Sequence, residues 1–267
     1  MTPKPVTVST LVAMKERGER IVSLTCYDAS FCRLLEAAGV DILLVGDSLG
    51  MVVQGWETTL PVTLDDMVYH SACVARARRR GLLVVDLPFL TYATPEQALT
   101  SAGRLMREGG AQMVKLEGGA HLLETVRRLT VHGVPVCAHL GLLPQSIHRL
   151  GGYRYQGRDP AAGLVILEDA VALQEAGASL LVLECVPANL AREIVCALRI
   201  PVIGIGAGNG CDGQVLVLHD MLGLNSERAP RFSKDFVAGH DGLAAGIAAY
   251  VEAVRAGAFP GPEQTPY

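Results

Sequence analysis

Three acidic residues end three successive apolar runs: Asp47 in "ILLVGDSLG", Asp86 in "LLVVDLPF" and Glu117 in "QMVKLEG". Asp47 and Asp86 are 39 positions apart and Asp86 and Glu117 are 31 apart, each close to one strand-plus-helix unit. A single strand-end aspartate is an ordinary turn or cap residue. Three acids brought to one rim repel one another and raise one another's pKa, so a cation is their natural neutraliser. An all-carboxylate set with no histidine pair beside it favours magnesium over zinc, as the metal ligands Asp47, Asp86 and Glu117.

Other residues extend this chemistry. Lys115 precedes Glu117 by two, so both side chains share one face of a strand. An ammonium there could hold a substrate carboxylate beside the metal, or simply pair with a neighbouring acid. Glu184, in "LVLECVP", ends a later run and is placed to act as a general base. His139, in "CAHLGL", is either a pocket residue or a satisfied core histidine. Cys185 follows Glu184 and is expected to point away from it, which argues against a nucleophile. A metal, a lysine and an isolated carboxylate suit proton abstraction next to a 2-oxo acid, whose chelated oxygens would stabilise the enolate. The residues do not name the electrophile.

Eight apolar, β-branched runs must position these groups. They begin at Arg20, Ile42, Leu82, Gln112, Val134, Ser179, Pro201 and Gln214. Between them lie amphipathic helical patterns, expected at about Ala29 to Ala38, His121 to His132, Ala161 to Ala176 and Asn189 to Leu198. Thr94, Pro95 and Gln97 predict a capped helix start with a capping box, stopped near Gly109. Thr63 followed by Asp65 and Asp66 predicts another, with Met67, Ser71, Val74 and Ala75 on one face. Near-continuous hydrophobic strands alternating with helices predict a parallel sheet covered by helices. With eight units, the expected fold is a single-domain α/β protein over residues 1–267, a (β/α)8 barrel. The strand ends then share one rim carrying Asp47, Ser48, Asp86, Lys115, Glu117, His139 and Glu184. A doubly wound sheet is the alternative, but no GxGxxG opens a first helix, and "GIGAGNG" is a weak anion-loop signal in the seventh unit.

Composition agrees. The 267 residues are 50% hydrophobic with a net charge of −4, so no global field recruits nucleic acid. "RARRRG", from Arg76 to Gly81, reads as a basic helix C-terminus stopped by glycine. Seven scattered cysteines without CxxC suggest reduced thiols and a cytoplasmic setting. No apolar run is long enough to span a membrane. Leu142 to Pro160 reads as a long lid or interface loop, and the proline-rich tail from about residue 258 as flexible.

The strings "TCYDASFCRLLEAAGVDILLVGDSLGMVVQGWETTLPVTLDDMVYH", "VKLEGG", "CAHLGLLPQS", "LVLECVP", "IGIGAG" and "QVLVLHDMLG" resemble the ketopantoate hydroxymethyltransferase family, in order, from about Val8 to Gly239. The resemblance implies a barrel of the phosphoenolpyruvate/pyruvate-binding superfamily type. It implies transfer of a one-carbon unit from 5,10-methylenetetrahydrofolate to 3-methyl-2-oxobutanoate, giving 2-dehydropantoate in pantothenate biosynthesis. By position it implies one Mg2+ per subunit on Asp47, Asp86 and Glu117. It also implies oxo-acid contacts from Asp47, Ser48, Asp86 and Lys115, a base at Glu184, and His139 lining the pocket. A homo-oligomer, a decamer, is the implied assembly. Cys26 stands where alanine is frequent, and "QGRDPAAGLVILEDA" is more apolar than usual. A carbon–carbon lyase of the same superfamily would carry a "KKCGH" loop, which is missing. A non-catalytic barrel would lack a ligand or the base, and neither is lacking.

Overall fold

The computed structural model describes residues 4–225, 229–265 and 267. Eight strands close into a parallel barrel in chain order. They are β1 (Ile21–Thr25), β2 (Ile42–Val45), β3 (Leu82–Asp86), β4 (Met113–Glu117), β5 (Val136–Gly141), β6 (Leu180–Glu184), β7 (Val202–Ile205) and β8 (Gly213–Leu216). Seven fall inside one of the eight runs, and β8 begins one residue ahead of its run, at Gly213. Because both faces of such a sheet are covered, the runs are apolar without alternation. Every residue of β1 to β4 is buried.

Local signals set the helix ends. Asp28 caps Ala29–Ala38 by accepting from Ser30 N at 2.7 Å and Phe31 N at 2.9 Å, and Gly39 closes that helix at φ 88°. Thr63 and Asp66 form a reciprocal capping box on Leu64–Ala77, whose Met67, Ser71 and Val74 are buried. Thr94 caps Pro95–Arg107, but the expected capping box does not form. Gln97 reaches past Thr94, accepting from Ala93 N at 3.1 Å and donating to Leu90 O at 2.7 Å.

The basic run behaves differently from its sequence reading. The helix ends at Ala77 with an extended Arg78, not at Gly81. Arg80 instead turns to the barrel floor and meets Asp41 at 2.7 Å, where Arg255 also arrives at 2.7 Å. Asp41 is fully buried and accepts from Val22 N at 3.0 Å. Its position just before β2 puts this clamp at the N-terminal end of the barrel, the end concerned with stability.

The expected flexible tail is packed where it begins. Phe259 is buried and its ring stands edge-on to Phe236 and Tyr250 at 5.2 and 5.9 Å. The sequence misread it because proline and glycine around one phenylalanine hide a long-range apolar contact. Among the described residues, no helix is long and apolar enough to cross a membrane.

Candidate active site

Parallel register brings the acids together. Asp86 is paired with Lys115, Glu117 with His139, and Gly141 with Glu184. Neighbouring strand ends thus place their polar side chains side by side at the C-terminal mouth. Asp47, Ser48, Asp86, Lys115, Glu117, His139 and Glu184 all line one cavity of about 750 Å³. Gly46 permits this crowding, because a Cβ there would sit 2.8 Å from Ser48 Oγ and 3.5 Å from Asp86 Oδ2.

Lys115 is the hub. Its Nζ lies 3.2 Å from Asp86 Oδ1, 3.7 Å from Glu117 Oε1 and 3.1 Å from His139 Nδ1. Asp47 N donates to Asp86 Oδ2 at 3.1 Å, and Tyr27 Oη lies 2.9 Å from Ser48 Oγ. His139 Nδ1 is 3.4 Å from Glu117 Oε1, while Nε2 is 3.2 Å from Glu184 Oε2 but out of line for a hydrogen bond. Glu184 therefore reaches the acid cluster through His139.

Burial and charge act in opposition here. Burial pushes Asp47 well above the carboxylate range, and the charges of Asp86 and Glu117 push the same way. Burial also raises Asp86, against the nearby Lys115 ammonium. Glu117 is lowered: burial opposes this, but His139, Lys115 and the Gln145 N–H outweigh it. Lys115 is raised, since Asp86, Glu117 and Asp47 more than offset its desolvation. Burial and Lys115 work to lower His139, yet its contacts with Glu117 and Glu184 leave it raised. At an effective dielectric of about 20, like charges about 4 Å apart cost roughly 4 kcal/mol per pair. One lysine cannot neutralise three such acids.

The donor set fits a hard cation. Asp47, Asp86 and Glu117 are all-oxygen donors between 3% and 6% exposed, and Asp86 Oδ1 has no hydrogen-bond partner. Among the described residues, no group of three or more His, Cys, Asp or Glu side chains is arranged to hold a metal ion together. Magnesium tolerates that, since it is commonly held by one or two carboxylates and keeps several waters.

Two features escaped the sequence reading. Cys185 lines the cavity beside Glu184 because its backbone turns to φ 47°, which breaks the strand alternation. Burial, with Glu184 adding to it, raises its thiol pKa, which disfavours the thiolate form. The second is Gln145, in the loop after β5. Its Nε2 donates to Asp47 Oδ2 at 2.8 Å and its N donates to Glu117 Oε2 at 3.0 Å. The string "HLGLLPQS" contains it, but nothing in a loop glutamine signals that it faces two acids.

The loop from Leu142 onward opens with a turn at Pro144–Ser146 and a short helix at Ile147–Leu150. It is fastened to β6, with Leu142 N donating to Glu184 O and Gln156 N to Cys185 O, each at 2.8 Å. Tyr153 from this loop, together with Trp56 and Phe232, walls the outer cavity.

Comparison with known proteins agrees with this architecture. The family model described as ketopantoate hydroxymethyltransferase matches residues 5–262. The 3-methyl-2-oxobutanoate hydroxymethyltransferase of Methylococcus capsulatus is 62% identical over 257 residues, covering 96% of this chain and 95% of that one. That of Halorhodospira halophila is 61% identical over 258 residues, covering 97% and 94%. Among solved structures, 2,3-dimethylmalate lyase, a PEP mutase/isocitrate lyase superfamily member, superposes with a TM-score of 0.58 at 17% identity, covering 97% of this chain and 100% of that one. That likeness is one of fold alone.

Proposed function

This chain belongs to the ketopantoate hydroxymethyltransferase family and is a hydroxymethyltransferase by that membership; on that premise we propose that it transfers the one-carbon unit of 5,10-methylenetetrahydrofolate to 3-methyl-2-oxobutanoate, giving 2-dehydropantoate for pantothenate synthesis. The observation that carries this reading is a single cavity holding three buried acids, the Lys115 ammonium and, across His139, the carboxylate of Glu184.

Asp47, Asp86 and Glu117 would hold one Mg2+, some of them through water. When bound, the ion supplies positive charge to the carboxylate and keto oxygens of the oxo acid and so acidifies its C3 proton. Lys115, whose Nζ stands among Asp86, Glu117 and His139, keeps a positive charge beside the substrate carboxylate. Ser48, held by Tyr27, faces the same space, and His139 Nε2 lies 3.2 Å from Glu184 Oε2. Glu184, a cavity-lining carboxylate that stands apart from the three acids and next to His139, removes the C3 proton. Water releases the one-carbon unit as formaldehyde, its two hydrogens going to the folate nitrogens as both C–N bonds break; the C3 carbanion bonds to that carbon, and the resulting alkoxide takes the proton back from Glu184. A cytoplasmic homo-oligomer, a decamer, is part of the same proposal, which rests there on family likeness.

The test is direct. Purified protein, MgCl2, 3-methyl-2-oxobutanoate and methylenetetrahydrofolate should yield 2-dehydropantoate by mass spectrometry, and EDTA should abolish it. Absence of product at every magnesium concentration would sink the proposal.

A further inference from the structure

Gln145 is 6% exposed, and its backbone N–H, both amide hydrogens and its amide oxygen find partners within the site. Nε2 donates to Asp47 Oδ2 at 2.8 Å and to Leu87 O at 2.9 Å. Oε1 accepts from the Tyr92 hydroxyl, and the backbone N donates to Glu117 Oε2 at 3.0 Å. Tyr92 Oη in turn accepts from Glu117 N at 3.3 Å.

These partners fix which way the amide faces. The Tyr92 hydroxyl accepts from Glu117 N, and of the two acceptors for its one proton Gln145 Oε1 lies closer than Glu117 O at 3.4 Å. The flipped amide would set Oε1 against Asp47 Oδ2 and Leu87 O, an acceptor facing two acceptors. The contacts join four strand ends: Asp47 follows β2, Leu87 and Tyr92 follow β3, Glu117 ends β4, and Gln145 lies beyond β5. The spacing of the two acids is therefore set from the β5 loop, not by the strands alone.

We infer that Gln145 is a positioning residue, whose amide and backbone N–H hold the Asp47 and Glu117 carboxylates in the orientation that receives a divalent cation, with Tyr92 setting the amide. The inference rests on the metal-dependent reading above. Outer partners of ligating carboxylates typically change metal affinity or activity by about 10–100-fold when removed.

The experiment compares wild type, Gln145→Met and Tyr92→Phe. Methionine keeps the length and bulk of glutamine without its donors, and phenylalanine keeps the Tyr92 ring. Binding of Mn2+ is followed by electron paramagnetic resonance of the free ion, with circular dichroism confirming the fold. Gln145→Met should weaken Mn2+ about 10–100-fold. Tyr92→Phe, which frees the amide to turn, should weaken it in the same direction by a smaller factor, and it carries the test should Gln145→Met not fold. A packing role predicts wild-type affinity in folded Gln145→Met or, failing that variant, in Tyr92→Phe, and that result overturns the inference while leaving the metal site standing. Wild-type protein that binds no Mn2+ overturns the metal reading and this inference with it.

Discussion

Nε2 of His139 lies 3.2 Å from Oε2 of Glu184, and the opposite ring nitrogen lies 3.4 Å from Glu117. One buried imidazole thus separates the carboxylate proposed as base from the acids proposed to hold the cation. Glu184 is more accessible than they are, its side chain 13% exposed against 2% for Glu117. That division gives each group a distinguishable response to substitution.

Glu184→Gln should bind 3-methyl-2-oxobutanoate with near-normal affinity but lose exchange of the C3 proton with solvent deuterium. Turnover should fall by about 10²–10⁴-fold, the usual contribution of a positioned base. Proton NMR of the oxo acid in deuterium oxide measures this, and undiminished exchange would remove Glu184 from the role.

Asp47 and Asp86 are both raised in the folded protein, foremost by burial. Such groups contribute stability that is fully present below their unfolded pKa and is lost as pH rises through the folded one. Without divalent metal, the melting temperature should therefore climb as pH is lowered from about 8 towards the unfolded carboxylate pKa near 4, until the lowered Glu117 takes up its own proton and works against it. Excess MgCl2 should flatten that slope. A pH-independent melting temperature in EDTA would contradict the account.

Asp47→Asn should weaken Mg2+ binding while the fold survives. In EDTA at pH 8 the variant should melt higher than wild type, by about 2–4 °C for each kcal/mol of charge burial relieved. A lower melting point would mean that Asp47 is stabilised by its neighbours without any cation.

Asp41→Ala removes the acceptor for Arg80, Arg255 and Val22 N at the barrel floor. Breaking a fully buried ion pair by deleting one partner costs about 3–5 kcal/mol, and the loss here should be smaller because Arg80 and Arg255 are 26% and 36% exposed. Urea unfolding should show that loss, while kcat and KM of the folded enzyme stay within about twofold, because the clamp lies at the end of the barrel away from the site.

Gly141→Ala should be more damaging than its chemistry suggests. The residue sits at φ 94°, and a Cβ there would lie 2.1 Å from the Glu184 carbonyl oxygen. Strain and backbone clash together should cost at least about 1–3 kcal/mol and displace Glu184, lowering both melting temperature and turnover. A variant with wild-type turnover would show that the β5 and β6 ends can part freely.

The sequence by itself determined the eight strands, the order in which they close and the rim on which Asp47, Asp86, Lys115, Glu117, His139 and Glu184 meet. It could do so because burial of both sheet faces writes unbroken apolar runs into the chain, and because a β/α unit has a nearly constant length. Family strings added the expected roles. What only the tertiary structure decided is how those side chains are held. Gln145 donates to Asp47 across 98 positions of sequence, Arg80 leaves a basic run to close on Asp41, and Phe259 packs from a segment that reads as loose tail. These contacts depend on where loops return in space, and no local period or propensity encodes that. The reach of Cys185 into the cavity is of the same kind, since a single backbone turn at φ 47° reverses the face that strand alternation assigns it.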